Sequence, residues 1–180
     1  MKTYKIKIIL ITLIVLTCSL GAYFSTPTTT YKKKIPKIDQ KEQYQVTKVL
    51  DGDTFQIKIK KEIVTVRMIG IDTPETVDPR KIVQCFGKQA SKKTKELLLN
   101  HKITLVTDSS QNITDKFNRV LAYVYRDDGL FVNRDLIENG FAYEYTYNIP
   151  YQKQKEFKEL EKNARIGKIG LWGDICQKKK

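Results

Sequence analysis

From Tyr44 to Ile71 apolar side chains recur at every second position, first along Tyr44-Gln45-Val46-Thr47-Lys48-Val49-Leu50 and again along Thr54-Phe55-Gln56-Ile57-Lys58-Ile59-Lys60. A period of two belongs to a strand with one buried face and is useless to a helix. Asp51-Gly52-Asp53 separates the two runs and reads as a tight hairpin turn, with Gly supplying a positive φ. After a second turn at Lys60-Lys61 the pattern resumes from Glu62 to Ile71, where Ile63, Val64, Val66, Met68 and Ile69 place apolar groups on both faces. A three-strand meander of this kind fits a curved or closed sheet.

The period then changes. Phe86 to Asn100 carries Ala90, Thr94, Leu97 and Leu98 on one stripe among Lys and Glu, the signature of a one-sided helix. Strands return at Ile103 to Thr107 and Val120 to Tyr125. A short helix fits Val132 to Asn139, stopped by Gly140, and a longer one runs from about Pro150 to Arg165 with Phe157, Leu160 and Ala164 on one face. Five strands with an inserted helix and two trailing ones predict an α+β fold: a five-stranded OB-type Greek-key β-barrel with three helices, an architecture suited to oligonucleotides.

At 180 residues the chain has room for one core and an appendage. The appendage is N-terminal. Lys2, Lys5 and Lys7 precede the apolar run Ile8 to Val15 and the smaller residues up to Ala22, the order of a signal peptide. The 17 residues from Ile8 to Phe24 also reach the lower limit of a membrane span. Residues 1–24 are therefore expected to be a signal peptide or an N-terminal anchor. The product is expected to be exported, either secreted or attached by this segment to the outer face of the membrane. Residues 25–43, rich in Thr, Lys and Pro, have no apolar period and are expected to form a flexible polar linker. The folded domain is placed at 44–176 and a basic tail at 177–180.

Charge narrows the partners. Lys and Arg number 33 against 20 Asp and Glu, and most of that excess lies beyond the leader. A basic domain attracts polyanions, with phosphate backbones first among them. The single histidine, His101, excludes histidine-rich zinc sites and mechanisms that need two histidines. Catalysis must rest on carboxylates and cations.

Such groups gather around the meander. The turn before its second strand and the exit of its third lie at the same end of the sheet, so Asp53 can meet Asp72. Pro74 forces Thr73 into an extended conformation, letting its carbonyl join them. Two carboxylates and a carbonyl are hard oxygen donors that suit Ca²⁺ better than Zn²⁺ or copper. Glu75, just outside that set, is a carboxylate base available to a water. Arg67 and Arg119 offer forks shaped for two phosphate oxygens, Arg119 from the polar loop Thr114-Asp115-Lys116-Phe117-Asn118-Arg119. Tyr143, Tyr145, Tyr147 and Tyr151 form a cluster that either covers the core or stacks on bases. With Cys18 in the leader, Cys85 and Cys176 are either a disulfide or two free thiols.

Asp51-Gly52-Asp53-Thr54, Arg67, Asp72-Thr73-Pro74-Glu75-Thr76, Asp115-Lys116 with Arg119, and Leu171-Trp172 together resemble the staphylococcal (micrococcal) nuclease, or thermonuclease, family, over roughly residues 44 to 173. The resemblance implies a Ca²⁺-dependent nuclease that hydrolyses DNA and RNA to 3'-phosphate products with little sequence preference. It implies Ca²⁺ at Asp53, Asp72 and the Thr73 carbonyl, Glu75 as general base, and Arg67 and Arg119 on the scissile phosphate. Asp51 would be a nearby carboxylate, Lys116 would bind a terminal phosphate, and Tyr145 and Tyr147 would lie under the base. Phe117 stands where the type member has a tyrosine, so one hydroxyl contact to phosphate is lost. Cys85 and Cys176 resemble an extra cysteine pair of other exported relatives. The alternative reading is a non-catalytic OB-fold module that binds nucleic acid. A third is a cationic surface protein whose acidic cluster is a structural calcium site. No heptad or large apolar patch argues for an oligomer, so a monomer is expected.

Overall fold

The alternation seen in sequence becomes a barrel. The structure, a computed structural model, describes residues 36–76 and 84–177. The expected leader or anchor, the linker up to residue 35 and the tail residues 178–180 lie outside the described residues. Strands β1 (Tyr44–Asp51), β2 (Thr54–Ile59) and β3 (Glu62–Met68) form the meander, and β5 (Lys102–Val106) and β6 (Val120–Arg126) complete a closed barrel in the order β1-β2-β3-β6-β5. Tyr44 pairs with Ile103 to close it, while β3 and β6 run parallel, with Val66 opposite Val120 and Met68 opposite Ala122. Irregular register between β1 and β2 after Val46 and after Val49 bends the first strand around the core. Phe55, Ile57, Val66, Ile103, Leu105, Val120, Ala122 and Val124 fill the interior with no exposed surface.

The third strand is shorter than its pattern suggests. It stops at Met68, because Gly70 adopts φ +76° and turns the chain. Two residues follow as a separate strand β4 (Ile71–Asp72), which pairs with β7 (Tyr143–Glu144) in a small ribbon outside the barrel. The Gly70 turn also needs a bare Cα, since a Cβ there would lie 2.5 Å from the ring of Tyr151.

Helix α1 (Gly87–Leu98) buries Ala90, Thr94, Leu97 and Leu98, the expected stripe. Helix α2 (Val132–Glu138) follows β6, and α3 (Gln154–Ile166) buries Phe157 and Ala164. Helix α3 starts later than Pro150, because the residues before it are held by the 108–111 segment: Asp108 accepts from the Gln152 N–H at 2.8 Å, and Gln111 donates to the Ile149 and Pro150 carbonyls. Beyond the three expected helices come a 3₁₀ turn (Gly170–Trp172) and a fourth short helix α4 (Asp174–Gln177). The latter is tied back by a Cys85–Cys176 disulfide with Cα atoms 5.7 Å apart, which resolves the choice between a bridge and free thiols. At the other end of the domain, Ile38 of the linker packs partly against the core, and the Tyr44 hydroxyl exchanges hydrogen bonds with the Asp39 backbone.

Candidate functional site

The tight turn between β1 and β2 brings Asp51 and Asp53 to one end of the barrel, both nearly buried. Gly52 is required there for a different reason from the expected one. It is absent from the positive-φ glycines of the described residues, and what it supplies is room: a Cβ would lie 2.7 Å from the Thr73 side chain. The close approach lets Asp53 Oδ2 accept hydrogen bonds from Thr73 N–H at 2.9 Å and Thr73 Oγ1 at 3.1 Å, while Asp53 Oδ1 accepts from Thr54 Oγ1. The turn is clasped from behind by α1, where Thr94 Oγ1 donates to the Gly52 carbonyl at 2.6 Å.

Asp53 and Asp72 do converge, and a cation joins them. Arg67 Nη1 lies 3.2 Å from Asp53 Oδ2, and Nη2 lies 2.9 Å from Asp72 Oδ1. Nη1 also donates to the Ile71 carbonyl at 2.8 Å. The guanidinium expected on a phosphate is thus held here by the two carboxylates expected on a metal. Two acids turned toward one positive group mark a place that favours positive charge. With the Thr73 carbonyl, the donors are all hard oxygens, so the set fits a divalent cation such as Ca²⁺ by type. Among the described residues no group of three or more His, Cys, Asp or Glu side chains is arranged to hold a metal, so a carbonyl and water must complete any such shell.

Glu75 sits on the next stretch of chain. Its Oε1 accepts from the Thr76 N–H at 3.0 Å, and the Thr76 hydroxyl donates to Asp51 Oδ1 at 2.7 Å, which links the Glu75 loop to the turn. Burial raises the Asp51 carboxyl above its ordinary range, and the charges of Asp53 and Glu75 push the same way, against the opposing hydrogen bonds from Thr76 and Gly52.

A cleft of about 690 Å³ opens beside this end of the barrel, and it is lined by Arg67, Asp72, Lys116, Phe117, Arg119, Tyr145 and Tyr147 among others. Arg119 comes from the loop before β6, where Asp115 receives its Nε at 2.7 Å. The exposed Phe117 ring lies under both neighbouring cations, 5.1 Å from Lys116 Nζ and 5.3 Å from Arg119 Cζ. The tyrosine cluster divides. Tyr145 and Tyr147 are exposed in the cleft wall with ring centroids 6.4 Å apart. Tyr151 is buried, donating to Glu144 Oε1 and the Gly70 carbonyl, and Tyr143 meets Trp172 edge-on. Of the cluster, Tyr151 belongs to the core, Tyr143 is half-buried against Trp172, and Tyr145 and Tyr147 face solvent.

Three residues build this site in ways the sequence did not indicate: Asp115 orients Arg119, Thr94 holds the turn, and Gln84 bonds to the Glu75 backbone. Asp115 stood in a motif and Thr94 in an apolar stripe, whereas Gln84 left no signal.

The sequence matches known proteins. The family model described as staphylococcal nuclease homologue matches residues 65–174. The thermonuclease of Staphylococcus hyicus is 34% identical over 155 residues, covering 86% of this chain and 90% of that protein. The thermonuclease of Staphylococcus intermedius is 37% identical over 131 residues, covering 73% of this chain and 76% of its own length. The SPbeta prophage-derived endonuclease YokF of Bacillus subtilis strain 168 is 40% identical over 137 residues, which is 73% of this chain but 45% of the longer relative. With the barrel, the Asp53–Arg67–Asp72 bridge and these matches together, the chain belongs to the staphylococcal nuclease family.

Proposed function

We propose that the protein is an exported, Ca²⁺-dependent nuclease that hydrolyses phosphodiester bonds of DNA and RNA to 3'-phosphate products with low sequence specificity, acting as a monomer. The observation that carries this reading is the shared cleft: Arg67 and Asp72 at one end, Arg119 and Lys116 on the adjoining loop, and Tyr145 and Tyr147 on the wall. The thermonuclease and endonuclease names of the relatives agree with it. The leader pattern and the Cys85–Cys176 bridge suit an oxidising, extracellular setting.

Asp53, Asp72 and the Thr73 carbonyl are the residues that would hold Ca²⁺. The ion would supply positive charge at the place where negative charge builds on the phosphate. Glu75 takes the proton from an attacking water, whose oxygen bonds to phosphorus as the bond to the 5'-oxygen breaks in line; the departing 5'-oxygen takes a proton from solvent, leaving a 5'-hydroxyl and the phosphate on the 3' side. Asp115 Oδ2 holds both Nε and Nη2 of Arg119 at 2.7 Å, so the guanidinium is oriented before substrate arrives and offers Nη1 and the outer N–H of Nη2 to the phosphate oxygens. Arg67, held by Asp53, Asp72 and the Ile71 carbonyl, places its guanidinium on the cleft wall, where it would meet a phosphate oxygen. As charge builds on the phosphorus oxygens these bidentate contacts strengthen. Lys116 reaches a phosphate further along the chain, and Tyr145 and Tyr147 present ring faces to bases without reading their identity.

The test is a gel assay of the full chain on single-stranded DNA and RNA in Ca²⁺, repeated with excess chelator. Degradation that stops in chelator, with ends that become extendable only after phosphatase treatment, supports the proposal. Retardation without cleavage would instead identify a nucleic-acid-binding module, and neither result would leave a cationic surface protein.

A further inference from the structure

Gln84 lies outside every motif singled out above, yet it holds Glu75 by two backbone-directed bonds. The Glu75 N–H donates to Gln84 Oε1 at 2.9 Å, and the Gln84 N–H donates to the Glu75 carbonyl at 3.0 Å. One residue thereby grips both backbone polar groups of Glu75, on either side of the Cα from which its carboxylate hangs.

Gln84 is itself held on the side away from Glu75. Its neighbour Cys85 is bonded to Cys176 of α4, and its carbonyl accepts from the Gly87 N–H at 3.1 Å, at the start of α1. Gly87 in turn lies flat on the catalytic loop. A Cβ at this position would stand 2.6 Å from Thr76 Cγ2 and 2.9 Å from the Pro74 carbonyl. The first turn of α1 thus braces Pro74–Thr76 while the middle of the same helix, through Thr94, braces Gly52. Both carboxylate-bearing loops are referenced to one rigid element.

We propose that Gln84 is a positioning residue for Glu75 and that the Cys85–Cys176 disulfide is its anchor. The inference rests on the reading of Glu75 as general base. A base must come within hydrogen-bond reach of the water it deprotonates, and a displacement of an ångström slows proton transfer steeply. Thr73 and Pro74 are buried, but Glu75 and Thr76 are only half-buried. The Thr76 N–H holds one carboxylate oxygen, and Gln84 holds both backbone polar groups of the residue that carries it. Because the Gln84 bond is solvent-exposed, water competes for it. Its loss is expected to cost about 3- to 10-fold in turnover, the order of one modest hydrogen bond.

Gln84→Met keeps the length of the side chain and removes the acceptor, whereas Gln84→Glu keeps an acceptor oxygen. The experiment measures kcat, KM and melting temperature of the full chain on a short single-stranded DNA at saturating Ca²⁺, on the alkaline plateau of the pH profile. Gln84→Met should lower kcat about 3- to 10-fold with KM and melting temperature nearly unchanged, and Gln84→Glu should restore most of the loss. In a Glu75→Gln background Gln84→Met should have no further effect. The Cys85→Ser/Cys176→Ser pair, assayed below its melting temperature, should lower kcat in the same sense. Unchanged kcat in Gln84→Met, failure of Gln84→Glu to rescue, or an equal loss in the Glu75→Gln background would overturn the proposal. Near-normal kcat in Glu75→Gln alone would overturn the base assignment and the proposal with it, so the two failures are told apart. If the serine pair does not fold, the exposed Gln84 variants decide the matter.

Discussion

Thr94 Oγ1 and the Gly52 carbonyl oxygen lie 2.6 Å apart, a bond between mid-helix and β-turn spanning 42 residues of sequence. Thr94 is fully buried, so no water can replace its hydroxyl. Thr94→Val, close in shape, should destabilise the domain by about 1–3 kcal/mol because it leaves the Gly52 carbonyl unsatisfied. The midpoint of urea unfolding measures it, and a midpoint equal to the parent's would show that the clasp carries no stability.

Replacing Glu75 with Gln retains the shape and its hydrogen bond to Thr76 but removes the base. Turnover should fall by roughly 10² or more while nucleotide binding survives. Arg67→Lys keeps one charge, but an ammonium cannot span Asp53 and Asp72 as the two Nη atoms do. Its loss should be of comparable order, as should that of Arg119→Lys. Single-turnover rates at saturating substrate test all three, and a Lys variant as fast as the parent would remove its arginine from the proposed clasp.

Lys116 lines the cleft from the loop that carries Arg119 and shares the Phe117 ring with it. Lys116→Ala should raise KM and flatten the dependence of binding on salt by about one phosphate contact, with kcat little changed. The slope of log affinity against log salt is the quantity to compare. A variant that lost kcat while keeping KM would place Lys116 at the reacting phosphorus instead.

Asp108 is buried beyond β5 and accepts hydrogen bonds from the Tyr123 hydroxyl at 2.5 Å, from Ser110 and from the Gln152 N–H. Burial alone would raise its pKa, but these bonds outweigh it and hold the carboxyl below its usual value. A folded pKa depressed below the unfolded one gives stability that is present above the unfolded value and is lost as pH falls through the folded value. Asp108→Asn turns an amide N–H₂ toward at least one of these donors. It should cost about 1.5–3 kcal/mol at pH 7, and the difference from the parent should shrink below pH of about 4. Unfolding curves across that range give the answer, and a pH-independent difference would rule out linkage through this carboxyl.

The barrel strands were legible because each is long enough for a period of two to show. The β4–β7 ribbon was not, since Ile71–Asp72 and Tyr143–Glu144 are too short for any period. The Gly70 turn that ends β3 hid inside an apolar run that reads as continuous. In the site, the carboxylates and arginines stood out through their motifs, and topology alone brought Asp53 toward Asp72. What sequence could not give was partnership. Arg67 between the two acids and Arg119 on Asp115 follow from side-chain packing. Gln84, in a polar stretch, carries no pattern that separates it from an ordinary loop residue. Asp108 stands in a polar stretch without any pattern, although it is buried and tied to Tyr123.

The parallel pairing of β3 with β6 places Arg67 opposite Leu121, two residues from Arg119. The two guanidinium groups of the proposed clasp therefore become neighbours only when strands distant in sequence have met. The β1–β2–β3 meander can form from local contacts, but the parallel step must await closure of a long loop, and non-local pairings of that kind are the slow ones in folding. Catalytic power is consequently confined to the fully closed barrel. On refolding from denaturant, recovery of cleavage should lag behind the β-sheet signal of the meander and coincide with the last burial of the core, making nuclease activity a clock for topology.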